Sequence, residues 1–373
     1  ATLKGWARLD AGETQIPSNI NLGATGLQYC ASIEDRVFLK LNHNWTFNDA
    51  GVGCPEEDKM IMVWKTTSNN ENIRFQLTGG NNAYTVDWGD GTVENDLFSN
   101  QDHTYAQPGT YEVKLTGSFR LRYNNLPASG STRLKLYEIK QWGANPWTST
   151  ADAFYGCENL KITATDVPDL SLVTDMSDMF RNCSNLEDIG GKMGTWDVST
   201  VENFNTMFQN TTLFNRSLGD WDLTSATNMS NMFNNSGLTS NSYDITLVGW
   251  RNNPNTPSNI SLGASGVTYC NAVSEHDYLD NDLNWSFNDA GINCPTNEPF
   301  VTRWQTTTNN ETITIPVFNS VTNPVIYRYY VDWGDGTPIT LETAGATHEY
   351  TTSGVYDVKI TGEFPAIYFE NST

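Results

Sequence analysis

At 373 residues the chain is about two to three times a typical domain, so more than one hydrophobic core is expected, and 38% hydrophobic with 12% aromatic residues excludes disorder for most of it. The balance of 21 Lys+Arg against 43 Asp+Glu, net −22, repels nucleic acid and anionic membranes and excludes them as partners on average. No apolar run reaches the roughly 18 to 20 residues of a membrane span, so no direct membrane insertion is expected, and no basic-then-apolar signal segment opens the chain.

Self-comparison organises the rest. Residues 17–54, PSNINLGATGLQYCASIEDRVFLKLNHNWTFNDAGVGC, return at 257–294 as PSNISLGASGVTYCNAVSEHDYLDNDLNWSFNDAGINC. The offset of 240 pairs Cys30 with Cys270, Trp45 with Trp285 and Trp64 with Trp304. Thr2, Leu3, Gly5 and Trp6 match Thr246, Leu247, Gly249 and Trp250. Residue 1 thus falls partway through a unit, and the chain reads as a window from a longer tandem array.

Next comes a β-rich stretch over 60–117. Alternating residues 84–88 lead into Gly89, Asp90 and Gly91, and an Asp-Gly pair between strand-like runs is a strong turn signal. His103 and Tyr105 follow, then P-G-T-Y-E-V-K-L at 108–115. The set returns at an offset of 245 as VDWGDGT at 331–337, His348 with Tyr350, and 354–358, with Ser353 where Pro108 stands.

A shorter period fills the middle. Ser149, Asp175, Asn203 and Asn228 are spaced by 26, 28 and 25 residues, and each is followed by an apolar cluster: Ala153/Phe154, Met176/Met179/Phe180, Phe204/Met207/Phe208 and Met229/Met232/Phe233. Apolar residues at helical spacing behind a capping side chain predict a short capped helix in each unit. D-[LV]-[ST] triplets ending at Ser171, Ser199 and Thr224 suggest a short strand feeding each helix. One strand and one helix per about 26 residues cannot bury an apolar face alone, so the units must stack as a solenoid. The Met and Phe ladder is its core.

Two resemblances carry these segments further. The W-G-D-G-T, H-x-Y and P-G-x-Y-x-V series looks like a PKD-like, immunoglobulin-type β-sandwich. D-M-S-D-M-F-R-N-C-S-N-L at 175–186 with W-D-V-S-T at 196–200 resembles the BspA-type leucine-rich-repeat surface proteins of bacteria, over about 137–294 and over 1–54 as the tail of a preceding copy. In that family such arrays close with segments like Y-D-x-x-L-x-G-W and W-x-x-N-D-x-G, here at 243–250 and 285–291. The resemblance implies a multidomain, mainly β chain in which PKD-like sandwiches alternate with a leucine-rich-repeat solenoid of short strands and short helices. Its expected parts are a closing segment at 1–54, a sandwich at 60–117, a solenoid with its closing module at 118–294, and a second sandwich with the start of the next unit at 300–373.

The six cysteines fall into repeat-related pairs. Cys30 with Cys54 and Cys270 with Cys294 are each 24 apart and read as disulfides, since an extracellular array favours oxidation. Cys157 and Cys183 lie one repeat apart, and both a third disulfide and two buried thiols stand open. Asp87 and Asp90, with Asp332 and Asp335, place carboxylates around tight turns where calcium could bind through oxygen, although the turns explain them without metal. Calcium is the only cofactor candidate. His103 and His348 are expected in structural hydrogen bonds. No catalytic constellation emerges, and no enzyme is expected.

The leading expectation is an extracellular, cell-surface tandem-repeat adhesin or fibre-building unit, with neighbouring copies as partners and a homo-oligomeric filament as one outcome. One rival is a dedicated glycan- or protein-binding module with Trp142 and Trp147 as contact residues, for which packing at the solenoid end is the plainer account. The other is a spacer in a secreted hydrolase whose catalytic domain lies outside this chain.

Overall fold

Helix α1 (Thr2–Trp6) leads into a small module in which strand β1 (Asn21–Gly23) runs parallel to β2 (Thr46–Asn48) beside helix α2 (Ile33–His43). The computed structural model describes residues 2–9, 12–79, 82–123, 132–293, 299–317, 327–364 and 367. They fall into two compact units, 1–293 and 294–373.

In the first unit a β-sandwich follows: β3 (Met60–Thr66), β4 (Glu71–Phe75), β5 (Ala83–Asp87), β6 (Val93–Leu97), β7 (Gln101–Tyr105) and β8 (Gly109–Ser118). Strands β4 and β7 pair with each other, opposite a sheet ordered β10-β9-β3-β8-β5-β6. Its last two members, β9 (Leu136–Gln141) and β10 (Lys161–Ile162), belong to the repeat region. Antiparallel pairing of β3 with β9 therefore carries the sandwich sheet into the repeats, and one continuous core runs from Met60 to Trp285.

The strand-plus-helix unit expected for each repeat does not form. Residues 149–236 are mainly turns stacked as coils. Ser149, Asp175, Asn203 and Asn228 do accept from the N–H two residues on, at 3.2, 3.0, 3.1 and 3.1 Å, as caps would. The helix stops at once, because the residue three positions after each cap is left-handed (Asp152, Asp178, Thr206 and Asn231, φ 56–58°), and so is the residue seven after (Gly156, Asn182, Asn210 and Asn235). Every second N–H then turns to the next coil: Thr150, Asp152, Phe154 and Gly156 donate to the carbonyls of Asp175, Ser177, Met179 and Arg181 at 2.8–3.1 Å. The same four-bond pattern joins Met176, Asp178, Phe180 and Asn182 to the coil after that.

One phenylalanine per coil stacks on the next, with centroids 5.6, 5.8 and 5.9 Å apart from Phe154 through Phe180 and Phe208 to Phe233. All four are fully buried, as are Met176, Met179, Met207 and Met232; each such side chain contributes roughly 1.5–3 kcal/mol. On the flank, Asn235 donates to Asn210 (3.0 Å) and Asn210 to Asn182 (2.8 Å). The core is thus built in turns, from Met, Phe and Trp together with buried leucines such as Leu160, Leu186 and Leu218, and not from a strand and a helix per repeat.

The stack ends under α3 (Ser240–Asn252), capped by Thr239, and a second closing module of β11 (Ser261–Gly263), α4 (Val273–Asn281) and β12 (Ser286–Asn288). In the second unit, strands β13 (Phe300–Gln305), β14 (Glu311–Ile315), β15 (Arg328–Asp332), β16 (Thr340–Glu342), β17 (Ala346–Tyr350) and β18 (Val355–Glu363) form sheets ordered β13-β18-β15-β16 and β14-β17. The molecule is mainly β with few helices.

Candidate functional site

Among the described residues, two of the places that gather polar chemistry differ in origin, one built by local turn geometry and one by contact between modules. The first is the corner after β5. Gly89 takes φ +77°, and a Cβ there would run into the Glu112 backbone, so the W-G-D-G-T turn needs glycine at that point. Asp87 accepts from the Gly89 N–H (3.0 Å) and Asp90 from the Thr92 N–H (3.0 Å). The other Asp90 oxygen meets His103 Nε2 at 2.8 Å, and the imidazole lies flat on Trp88, 4.6 Å between centroids at 9°. Tyr105 donates its hydroxyl to the Trp88 carbonyl (2.7 Å) and stacks on Tyr111 (3.8 Å).

The second sandwich repeats the corner. His348 meets Asp335 at 2.8 Å and stacks on Trp333 at 4.8 Å, while Tyr350 donates to the Trp333 carbonyl at 2.8 Å. Burial opposes the charge on Asp335, but bonds from Thr337 and His348 outweigh it and bring its pKa down to about 2. The same contest, with His103 and Thr92 as donors, leaves Asp90 below the usual aspartate range. Both carboxylates are therefore ionised clamps on a turn. His103 and His348 make the structural bonds expected of them.

The calcium candidates Asp87, Asp90, Asp332 and Asp335 are engaged in this way, with Asp332 accepting from the Gly334 N–H at 3.0 Å. Among the described residues no group of three or more His, Cys, Asp or Glu is arranged to hold a metal ion.

The second place joins the first closing module to the sandwich. Arg36 of α2 lies between the rings of Tyr29 (4.5 Å) and Phe47 (4.1 Å), bonds Asp49, and reaches Asp96 of β6 through Nε at 2.5 Å. Lys40 adds a 3.1 Å contact to Asp96, whose backbone bulges at φ +57°. The Arg36 and Asp96 side chains are only 7% and 6% exposed. Burial works against the Arg36 charge, and the bond and charge of Asp96 more than restore it, so the guanidinium stays protonated. Sequence reasoning missed this cluster, although a signal existed: at the corresponding positions of the second copy Arg36 becomes His276 and Asp96 becomes Leu341. There His276 stacks on Tyr269 (4.4 Å) and meets Asp289 at 3.2 Å.

Cys30 and Cys54 form a disulfide. Cys270 is disulfide-bonded as well, and its expected partner Cys294 lies outside the described residues. Cys157 and Cys183 are free, buried thiols, which rules against the third disulfide here; Cys183 donates to the Phe154 carbonyl at 3.0 Å, and burial pushes both thiols up, out of the reactive range. The contact role of Trp142 and Trp147 is also corrected. Each is 1% exposed, and both pack edge-on against Phe154, with Trp147 also on Phe119, where sandwich and stack meet.

The comparisons with known proteins follow this division. Residues 55–118 match the PKD domain. Residues 133–256 match the family described as Mycoplasma protein of unknown function, DUF285. Neither match is to a leucine-rich repeat. No curated protein and no solved structure matches the chain. The PKD domain is typical of extracellular proteins, and among the described residues no helix is long and apolar enough to cross a membrane.

Proposed function

We propose that the chain is a non-catalytic building unit of an extracellular surface adhesin or fibre, in which sandwiches and coil stacks repeat in series and attachment comes from length and many weak contacts. The observation that carries this reading is the backbone pairing between modules: one row runs from β3 through β9 and β10 to Asp188, and a second runs from Asp175 through Asn203 and Asn228 to Met229 and β11, so that one module is the template for the next. The partners in this reading are neighbouring copies and a surface ligand. Negative-stain imaging of the native assembly should show elongated particles, and a strain lacking the gene should attach less to surfaces or cells. Compact particles together with unchanged attachment would overturn the proposal.

A further inference from the structure

The two closing modules differ in what lies on their outer edge. In the second, β11 is paired on both sides: with β12, and with the last coil of the stack. Gly263 donates to the Met229 carbonyl (3.2 Å) and accepts from Phe233 (2.8 Å), while Asn235 donates to Ser265 (2.8 Å). The approach is close enough that a Cβ on Gly263 would run into the Asn231 backbone. At the start of α4 the N–H groups of Cys270, Asn271 and Ala272 all donate to the carboxylate of Asp244, at 2.9, 2.9 and 3.2 Å. A buried aspartate from the preceding helix thus holds the three N–H groups that lead into α4, and its charge suits the positive end of that helix.

In the first module no described residue covers the corresponding face. Among the described residues β1 pairs only with β2, nothing lies within 4 Å of a Cβ built on Gly23, and Leu27 is 66% exposed where its counterpart Val267 is 1%. The N–H groups of Cys30, Ala31 and Ser32 have no acceptor among the described residues, and the Ser32 side chain does not cap α2. Trp6 of α1 lies 5.8 Å from Trp45, as Trp250 of α3 lies 5.9 Å from Trp285. What remains is a groove of about 480 Å³, lined by Trp6, Leu22, Gly23, Leu27 and Cys30.

We propose that this groove is a docking site for the end of another coil stack of this chain's own kind, a segment with the sequence of residues 228–245. Its last coil adds to β1 as a parallel neighbour across Gly23, its Met and Phe side chains cover Leu22 and Leu27, and its aspartate seats on the three N–H groups before α2. The occupant is named by the internal duplicate, which has that segment in that seat. The inference rests on the serial-array reading.

The test is a chain in which a copy of residues 55–245 is fused ahead of Thr2 of the full protein. Hydrogen exchange at Gly23, Cys30, Ala31 and Ser32 should slow at least about tenfold relative to the unfused chain. Changing the grafted copy of Asp244 to Asn should release Cys30, Ala31 and Ser32 more than Gly23. Gly23→Val should abolish the protection in the fusion while leaving the unfused chain's melting unchanged. Unaltered exchange at these four amides, with the added stack itself showing slow amides, overturns the proposal; so does concentration-dependent protection in the unfused chain, where residues 228–245 are already covered by their own closing module and the occupant would have to be another surface. Docking in the fusion alongside compact native particles would instead sink the fibre reading and leave the groove standing.

Discussion

Strands β3 and β13 are the same strand in two copies of one sandwich, and they differ in company. Strand β3 lies between β8 and β9, and Met60, Met62 and Trp64 are at most 1% exposed; β13 pairs with β18 alone among the described residues, and Phe300 and Val301 are about half exposed (49% and 50%). The residues follow suit: Met62 and Val63 give way to Thr302 and Arg303, the latter in a bidentate pair with Asp357. The corner of Trp, His, Asp and Tyr is nearly superposable in chemistry between the copies. The sandwich therefore carries its own turn clamp, whereas the burial of its first strand is supplied by the module that follows.

Three experiments press on that contrast. The largest effect is expected at the strand: Trp64→Ala should cost roughly 3–5 kcal/mol in denaturant unfolding of the first unit, and Trp304→Ala about 1 kcal/mol in the second. Equal losses would show that β9 does not make the difference. Next, Arg36→Ala strands Asp49 and Asp96 in a buried site and should cost about 3 kcal/mol, read as a lowered melting temperature. The pair Arg36→His with Asp96→Leu, which writes the second copy's residues into the first, should lose less than the single change. A single change without effect would remove the junction from the account of stability.

The smallest effect belongs to the shared corner. Asp90 and Asp335 have folded pKa values below the usual 3.8, so their stabilisation is present above that value and is lost as pH falls through the folded pKa, about 2 for Asp335. His103→Asn and His348→Asn should each raise the carboxylate's NMR titration midpoint, by similar amounts. A rise in one sandwich only would mean that the corners are not equivalent.

Local turn chemistry was the most legible part of the sequence. The Asp-Gly turns, the His-x-Tyr bonds and the repeat offsets all depend on neighbours a few residues away or on simple duplication. The helix expected in each coil failed because apolar residues at i, i+3 and i+4 suit two successive turns as well as they suit a helix. The deciding residues were Asp152, Asp178, Asn182, Asn210, Asn231 and Asn235, side chains that tolerate left-handed backbone and recur in phase. For Trp142 and Trp147 the plainer account, packing at the end of the stack, is the one the structure bears out; their partners Phe119, Phe154 and Trp196 lie up to 54 positions away, so a contact role stayed open in sequence. The Arg36 cluster joins residues 60 positions apart, and only a difference between the copies hinted at it.

The coil stack has a consequence for how such chains change length. Each coil offers its successor a like row of carbonyls and a like phenylalanine face, so adding or deleting one whole coil would renew the backbone bonds and the ring stack at the new seam. An insertion between a cap and its second left-handed position would break that register, whereas the remainder of the coil already varies, with caps 26, 28 and 25 residues apart. Whole coils are therefore the increments in which the stack can lengthen or shorten without disturbing its register, and the coil count sets its reach.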